Sequence, residues 1–231
     1  MDKTMTQERD SLAEIGELFR QTQQIVTRAQ KREEANPLVA PRFNPLQFFW
    51  PKENEISAIL AYFLNPNGEH KQKLKFMYCF FDQLLPESYR KRLRQLDSER
   101  ISVATEVVTK QKRRIDIVIQ LGDWAIGIEN KIWAIDQVRQ LQDYRDHLKS
   151  HYEESLLLYL SPYGKAPSDE SLGGMSSEEF ACIGYFPDMI NLLNDFAKAC
   201  DEDNVRAFIL AFSEYLKVKF AGGSFNMAAQ G

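Results

Sequence analysis

The fold is decided by residues 115–131, which read Ile-Asp-Ile-Val-Ile-Gln-Leu-Gly-Asp-Trp-Ala-Ile-Gly-Ile-Glu-Asn-Lys. Two stretches rich in β-branched residues, Ile115–Leu121 and Trp124–Asn130, flank the pair Gly122-Asp123. Glycine at the first central position suits a type II′ turn, whose twist matches that of two antiparallel strands. We therefore predict a β-hairpin with a two-residue loop at this pair.

The register of this hairpin brings two acidic residues face to face. Counting back from the turn, Asp116 lies directly opposite Glu129, with the Cβ atoms about 5 Å apart. Two full charges at that distance repel each other by about 3 kcal/mol at an effective dielectric constant of about 20. Because side chains alternate along a strand, Lys131 shares the face of Glu129, whereas Asn130 points away. The two carboxylates offer the oxygen ligands that a hard divalent cation such as Mg²⁺ or Mn²⁺ prefers, and together with the ammonium they leave a formal charge of −1.

A solvated sheet face is the alternative interpretation of the same residues. In this alternative, Lys131 and nearby arginines form ion pairs with Asp116 and Glu129 on the solvated face. The apolar residues around Asp116 argue against it, because they are typical of a buried strand, in which an unpaired acid is costly. In the functional interpretation, the Lys131 ammonium orients an attacking water and stabilises charge that develops on a phosphoryl oxygen.

These residues give the sequence a resemblance to a known family. Asp116 followed by Glu129-Asn130-Lys131 resembles the D-xn-ExK core of the PD-(D/E)xK nuclease superfamily. Downstream, Gln140-Leu-Gln-Asp-Tyr144 resembles the QxxxY motif of its RecB-like members, and the i, i+4 spacing puts Gln140 and Tyr144 on one helical face. Upstream, Glu55 is similar to the acid that such nucleases carry on a helix before the core. The resemblance extends over about residues 45–220.

The resemblance implies a fold and an activity. The fold is an α/β, restriction-endonuclease-like core, a mixed β-sheet with a catalytic hairpin flanked by helices. The helical spacing of apolar residues adds an N-terminal amphipathic helix before this core. The activity is Mg²⁺- or Mn²⁺-dependent hydrolysis of DNA, with phage defence as a context suggested by kinship only. A ribonuclease and a catalytically silent module that binds nucleic acid or a protein partner remain open as alternatives.

The resemblance also implies a role for each matching residue. Glu55, Asp116, Glu129 and the carbonyl of Asn130 would bind the metal, and Lys131, Gln140 and Tyr144 would complete the catalytic set. Glu55 as a surface acid, and Gln140 with Tyr144 as part of an ordinary amphipathic helix, are the alternatives.

The charge distribution narrows the choice of partners. The chain carries 29 Lys and Arg against 33 Asp and Glu, so it is not a polyanion binder over its whole surface. Residues 52–116 nevertheless have a basic excess, which includes Lys112, Arg113 and Arg114 directly before Asp116. We expect these three to contact a nucleic-acid backbone, with a solvated charged turn as the alternative. No zinc finger, recognition helix or RNP-type motif predicts base-specific readout.

The domain organisation follows from periodicity and composition. We expect an amphipathic helix in residues 1–36, the nuclease-like domain in residues 37–221 and a flexible tail in residues 222–231. The N-terminal helix is expected to pack on its own domain or to form a homodimer or partner contact. The absence of a long apolar run and the three scattered cysteines favour a cytoplasmic protein with no membrane association. Further helices are expected over residues 53–64, 70–85, 88–96, 134–148, 188–200 and 204–220, and further strands over 101–108, 156–160 and 180–185.

Overall fold

The structure, a computed structural model, describes residues 43–220. The strands are β1 (Ile101–Val108), β2 (Arg114–Leu121), β3 (Trp124–Asn130), β4 (Glu154–Ser161) and β5 (Phe180–Gly184). The helices are α1 (Leu46–Phe49), α2 (Glu53–Leu64), α3 (Lys75–Leu84), α4 (Glu87–Leu93), α5 (Gln140–His151), α6 (Asp169–Leu172), α7 (Ile190–Ala199) and α8 (Asp203–Phe220), with short turns of other helix types at Ser98–Arg100 and Tyr185–Met189.

The five strands form one mixed sheet in the order β1-β2-β3-β4-β5. The first three strands are antiparallel, and β4 and β5 continue the sheet in parallel with β3. A parallel neighbour needs a crossover connection, and α5 lies in the connection between β3 and β4. The mixed sheet with flanking helices confirms the predicted restriction-endonuclease-like fold class.

The sheet is buried on both faces, which explains why the hairpin strands are apolar almost throughout. Alternate residues such as Ile117 and Ile119 pack into a large core with α2, α3, α7 and α8. The opposite face, with Val118 and Ala125, packs into a smaller core with α5. The central strand β3 is consequently buried at all of its residues.

Two helices begin five and six residues later than the sequence predicts, and backbone conformation explains both differences. The helix expected from residue 70 begins at Lys75, because Lys71 and Lys73 have positive φ angles of 59° and 52°. The helix expected from residue 134 begins at Gln140, because Arg139 has φ 59° and interrupts any helix before it. Residues 131–139 are instead an irregular segment that connects β3 to α5.

Two predicted elements, the helix in residues 1–36 and the tail in residues 222–231, lie outside the described residues. No helix within residues 43–220 is long and apolar enough to cross a bilayer.

Candidate functional site

The hairpin has the register that the sequence predicts. Leu121 pairs with Trp124, and the ladder continues to Ile117 opposite Ile128. Only Gly122 of the two loop residues has a positive φ, 70°, as a type II′ turn requires. Just beyond the last pair, the backbone N–H of Asn130 donates to Asp116 Oδ2 at 2.7 Å, so the side chain of Asp116 continues the connection between the two strands.

Glu129 and Lys131 lie together on one side of β3 with Gln140 from the first turn of α5. Lys131 Nζ is 3.4 Å from Glu129 Oε1 and donates to Gln140 Oε1 at 3.1 Å. Gln140 Nε2 donates to Glu129 Oε1 at 2.7 Å and to the Tyr144 hydroxyl at 2.9 Å. The Tyr144 hydroxyl in turn donates to the carbonyl of Arg114 at 2.6 Å. The structure therefore brings these four predicted residues into one buried network, which ties α5 to the hairpin.

The surroundings of the Asp116 and Glu129 carboxyl groups disfavour their charged forms. Burial raises the pKa of Asp116 from 3.8 to about 6, and the nearby charges of Glu53 and Glu106 add to that effect. Burial is also the main cause of the strongly raised pKa of Glu129, followed by the charge of Asp116, and the opposing effect of Lys131 is smaller. One ammonium is thus too little positive charge for this group of acids.

Asn130 faces the other side of β3, as alternation predicts, and is fully buried. Its Nδ2 donates to the carbonyl of Glu53 at 3.1 Å and to Ser57 Oγ at 2.9 Å. Its Oδ1 accepts from the hydroxyl of Tyr185 at 2.9 Å. The side chain of Asn130 therefore joins β3 to α2 and to the residues after β5.

The acid of α2 whose side chain reaches the end of the hairpin is Glu53, whereas Glu55, the acid that the sequence favoured, lies on the exposed side of the helix. Glu55 is exposed, and its Oε2 accepts from the backbone N–H of Lys52 at 2.9 Å as part of a capping box. Glu53 Oε2 accepts from the backbone N–H groups of Ile132 and Trp133 at 3.1 and 3.0 Å. The helical period could have revealed this difference, because Glu53 shares a face with the buried residues Ile56, Ser57 and Leu60.

The three expected backbone-binding residues have different surroundings. Arg113 Nε lies 2.7 Å from Asp143 Oδ2, and its other nitrogens donate to Gln137 Oε1 and to the carbonyl of Val138. Arg114 pairs with Glu106 at 2.9 Å. Lys112 is exposed in the β1–β2 turn. The side chain of Arg113 therefore connects the β1–β2 turn to α5. Its position in a run of basic residues does not indicate this structural role.

The residues fit a divalent cation at the carboxylate pair. Glu129 Oε2 is buried and has no hydrogen-bond partner within the described residues, which is unusual for a buried oxygen. No group of three or more His, Cys, Asp or Glu side chains in residues 43–220 is arranged to hold a metal ion. Mg²⁺ is nevertheless commonly bound through one or two carboxylates, with water and substrate phosphate as its other ligands, so the pair is a sufficient protein contribution.

Comparison with known proteins agrees with the geometry. The model of the PD-(D/E)XK nuclease superfamily matches residues 43–216, a range that includes the hairpin, α2 and α5. No curated protein and no solved structure gave a match.

Proposed function

Because this chain belongs to the PD-(D/E)XK nuclease superfamily, we propose that it is a metal-dependent nuclease that hydrolyses the phosphodiester bonds of DNA. The observation that carries this proposal is the environment of Glu129. One of its oxygens contacts Lys131 and Gln140, the other is buried with no hydrogen-bond partner among the described residues, and the charge of Asp116 helps to raise the pKa of the same carboxyl group. A purely structural ion pair would satisfy both oxygens, because an unsatisfied buried acceptor costs about 1–3 kcal/mol.

Asp116 and Glu129 are the proposed ligands of Mg²⁺ or Mn²⁺, with the Asn130 carbonyl as a further candidate. When bound, the cation supplies positive charge to the carboxylate pair and withdraws electron density from the scissile phosphate. We propose Glu53 in place of Glu55 as the third acid of the site, since its charge acts on Asp116.

Lys131 is the proposed catalytic cation. Its ammonium can donate to a phosphoryl oxygen as negative charge develops there and can orient the attacking water. Gln140 positions it, because one amide contacts both Lys131 and Glu129. Tyr144 fixes the orientation of that amide through its hydroxyl. The QxxxY pair thereby supports the RecB-like interpretation, in which Gln140 and Tyr144 act as positioning residues.

The test is incubation of the purified protein with supercoiled, linear and single-stranded DNA and with RNA, in Mg²⁺, Mn²⁺ or EDTA. We expect metal-dependent cleavage of DNA that EDTA abolishes. Nicking of the supercoiled form would identify an endonuclease. Cleavage of RNA alone would identify a ribonuclease instead, because hydrolysis at phosphorus does not require a deoxyribose.

Variants link the activity to the site. We expect Asp116→Asn and Lys131→Ala to lose cleavage, and Lys91→Ala, an exposed lysine of α4 that pairs with Glu87, to cleave like the wild type. Cleavage at full rate by Asp116→Asn and Lys131→Ala would refute the assignment. Nucleic-acid binding without cleavage by the wild type in either metal would favour the catalytically silent module.

A further inference from the structure

The 131–139 segment, between Lys131 and α5, carries large apolar side chains that stay in contact with solvent. Trp133 is 42% exposed, Val138 64% and Ile135 90%. Each would be better buried, since burying an apolar side chain is worth about 1.5–3 kcal/mol. Their exposure therefore needs a physical reason.

The backbone of this segment is held from several sides. Glu53 binds the amides of Ile132 and Trp133, and Arg113 binds the side chain of Gln137 and the carbonyl of Val138. Asp136 accepts from the Tyr159 hydroxyl at 2.9 Å and from the backbone N–H of Ser168 at 2.7 Å. A backbone restrained in this way presents its apolar side chains in a fixed arrangement, which lowers the entropic cost of binding a partner.

The charges around the segment favour an anionic partner. Lys219 covers one face of the Trp133 ring, with its Nζ 4.0 Å from the centroid, and also donates to the Pro51 carbonyl and the Tyr215 hydroxyl, so other cations must meet the phosphates. Lys112, Arg139 and Lys165 are exposed and form no ion pair with other described residues. Lys112 is the neighbour of Arg113, whose guanidinium donates to the carbonyl of Val138 in the segment. Lys165 lies three residues before Ser168, whose backbone N–H donates to Asp136 of the segment. Apolar side chains that are flanked by uncompensated cations suit a nucleic acid better than an apolar protein surface.

We propose that Trp133 and Ile135 contact unpaired bases of the strand to be cut, so that the preferred substrate is single-stranded or locally unpaired DNA. This inference rests on the proposed nuclease function and specifies its substrate class. A continuous duplex presents mainly phosphates to a protein, whereas an unpaired base exposes a face on which an indole can stack. Trp133 lies two residues after Lys131, and its backbone N–H donates to Glu53 Oε2, on the residue whose carbonyl accepts from the side chain of Asn130 next to Glu129. The stacked base would therefore lie close to the scissile phosphate.

The experiment compares three DNA substrates that share one labelled strand: the single strand, a blunt duplex and a forked duplex. Binding is measured by fluorescence anisotropy in EDTA, and cleavage by kcat and KM in Mg²⁺. The variants are Trp133→Ala, Trp133→Phe and Ile135→Ser, with Tyr78→Ala as the matched control. Tyr78 is an aromatic residue of α3 that is 37% exposed.

We expect the wild type to prefer the single strand and the fork over the blunt duplex. Trp133→Ala should weaken binding of these two substrates about tenfold, the effect of losing one stacked base, and raise KM with little change in kcat. Trp133→Phe should retain part of the affinity because it keeps an aromatic face, and Ile135→Ser should lose less than Trp133→Ala. Tyr78→Ala should behave like the wild type.

Two results would overturn the inference: an equal loss of affinity for the single strand and the duplex, or no loss in either Trp133→Ala or Ile135→Ser. Ile135→Ser keeps the test decisive if Trp133→Ala fails to fold, because so exposed a residue adds little to stability. Lys131-dependent cleavage with no role for Trp133 or Ile135 would remove only this inference. A wild type that neither binds nor cleaves any nucleic acid would remove the proposed function and the inference together.

Discussion

Glu129 and Asn130 are consecutive residues of β3 and are both buried, with 3% and 0% exposure, but their environments differ. The amide of Asn130 has a partner for its oxygen and two for its nitrogen. Glu129 leaves one carboxylate oxygen without a hydrogen-bond partner in the described residues and has a strongly raised pKa. The two faces of one strand thus serve different purposes, since a satisfied network stabilises the fold and an unsatisfied charge is a feature of functional sites.

The largest expected effect tests the Glu129 side of this comparison. Lys131→Ala should lower kcat for DNA cleavage about 10³-fold, because it removes the proposed charge stabilisation at the phosphate. Cleavage kinetics under saturating Mg²⁺ measure the change, and Lys91→Ala is the control. A loss below about tenfold would mean that Lys131 only balances the charge of Glu129.

The next effect concerns the pH dependence of stability without metal. The folded-state pKa of Asp116, about 6, is above its ordinary value of 3.8, so the folded state binds more protons between these two values. Stability should therefore fall as the pH rises from about 4 to 6, by up to about 3 kcal/mol from this group, and then level off. The raised pKa of Glu129 likewise makes the folded state less stable as the pH rises.

Denaturant unfolding in EDTA across that pH range measures this effect. Asp116→Asn should flatten the dependence and raise the stability at pH 7, and Mg²⁺ should oppose the loss in the wild type. The same slope in Asp116→Asn as in the wild type would argue against a buried, strained carboxylate at this position.

Asn130→Ala tests the opposite face of β3. It should lower the free energy of unfolding by about 2 kcal/mol, because the hydroxyls of Ser57 and Tyr185 lose a buried partner. Glu129→Gln should instead leave stability unchanged or raise it, because it removes a buried charge. Chemical denaturation of both variants in EDTA makes the comparison directly. Destabilisation by Glu129→Gln equal to that by Asn130→Ala would mean that both faces are structural.

The smallest effect separates two acids of the same helix. Glu53→Gln should reduce cleavage about tenfold, since it weakens the anchor of the 131–139 segment and removes a charge that acts on Asp116. Glu55→Gln should cleave normally, because glutamine preserves the capping box. Parallel rate measurements decide between them, and a larger loss in Glu55→Gln would restore the acid that the sequence favoured.

Local patterns predicted much of the fold, and their failures have identifiable causes. The bounds of α2, β1 and β3 were correct, because the helical period of α2 and the extended, β-branched character of the two strands continue over each whole element. The starts of α3 and α5 were wrong, since Lys71, Lys73 and Arg139 have positive φ angles, which are uncommon for lysine and arginine and which their residue types do not indicate. Ile135 and Val138, which lie within the helix predicted over residues 134–148, are instead exposed residues of the irregular segment before α5.

The sequence by itself determined the hairpin and the side of β3 that each of its residues faces. Strand alternation and a two-residue turn act over a few neighbouring residues, so the relation of Glu129 to Lys131 and Asn130 follows from the chain alone. Only the tertiary structure decided which groups satisfy the side chain of Asn130 and where the guanidinium of Arg113 binds. These outcomes depend on how distant elements rotate as their apolar faces are buried, and no local pattern specifies that rotation.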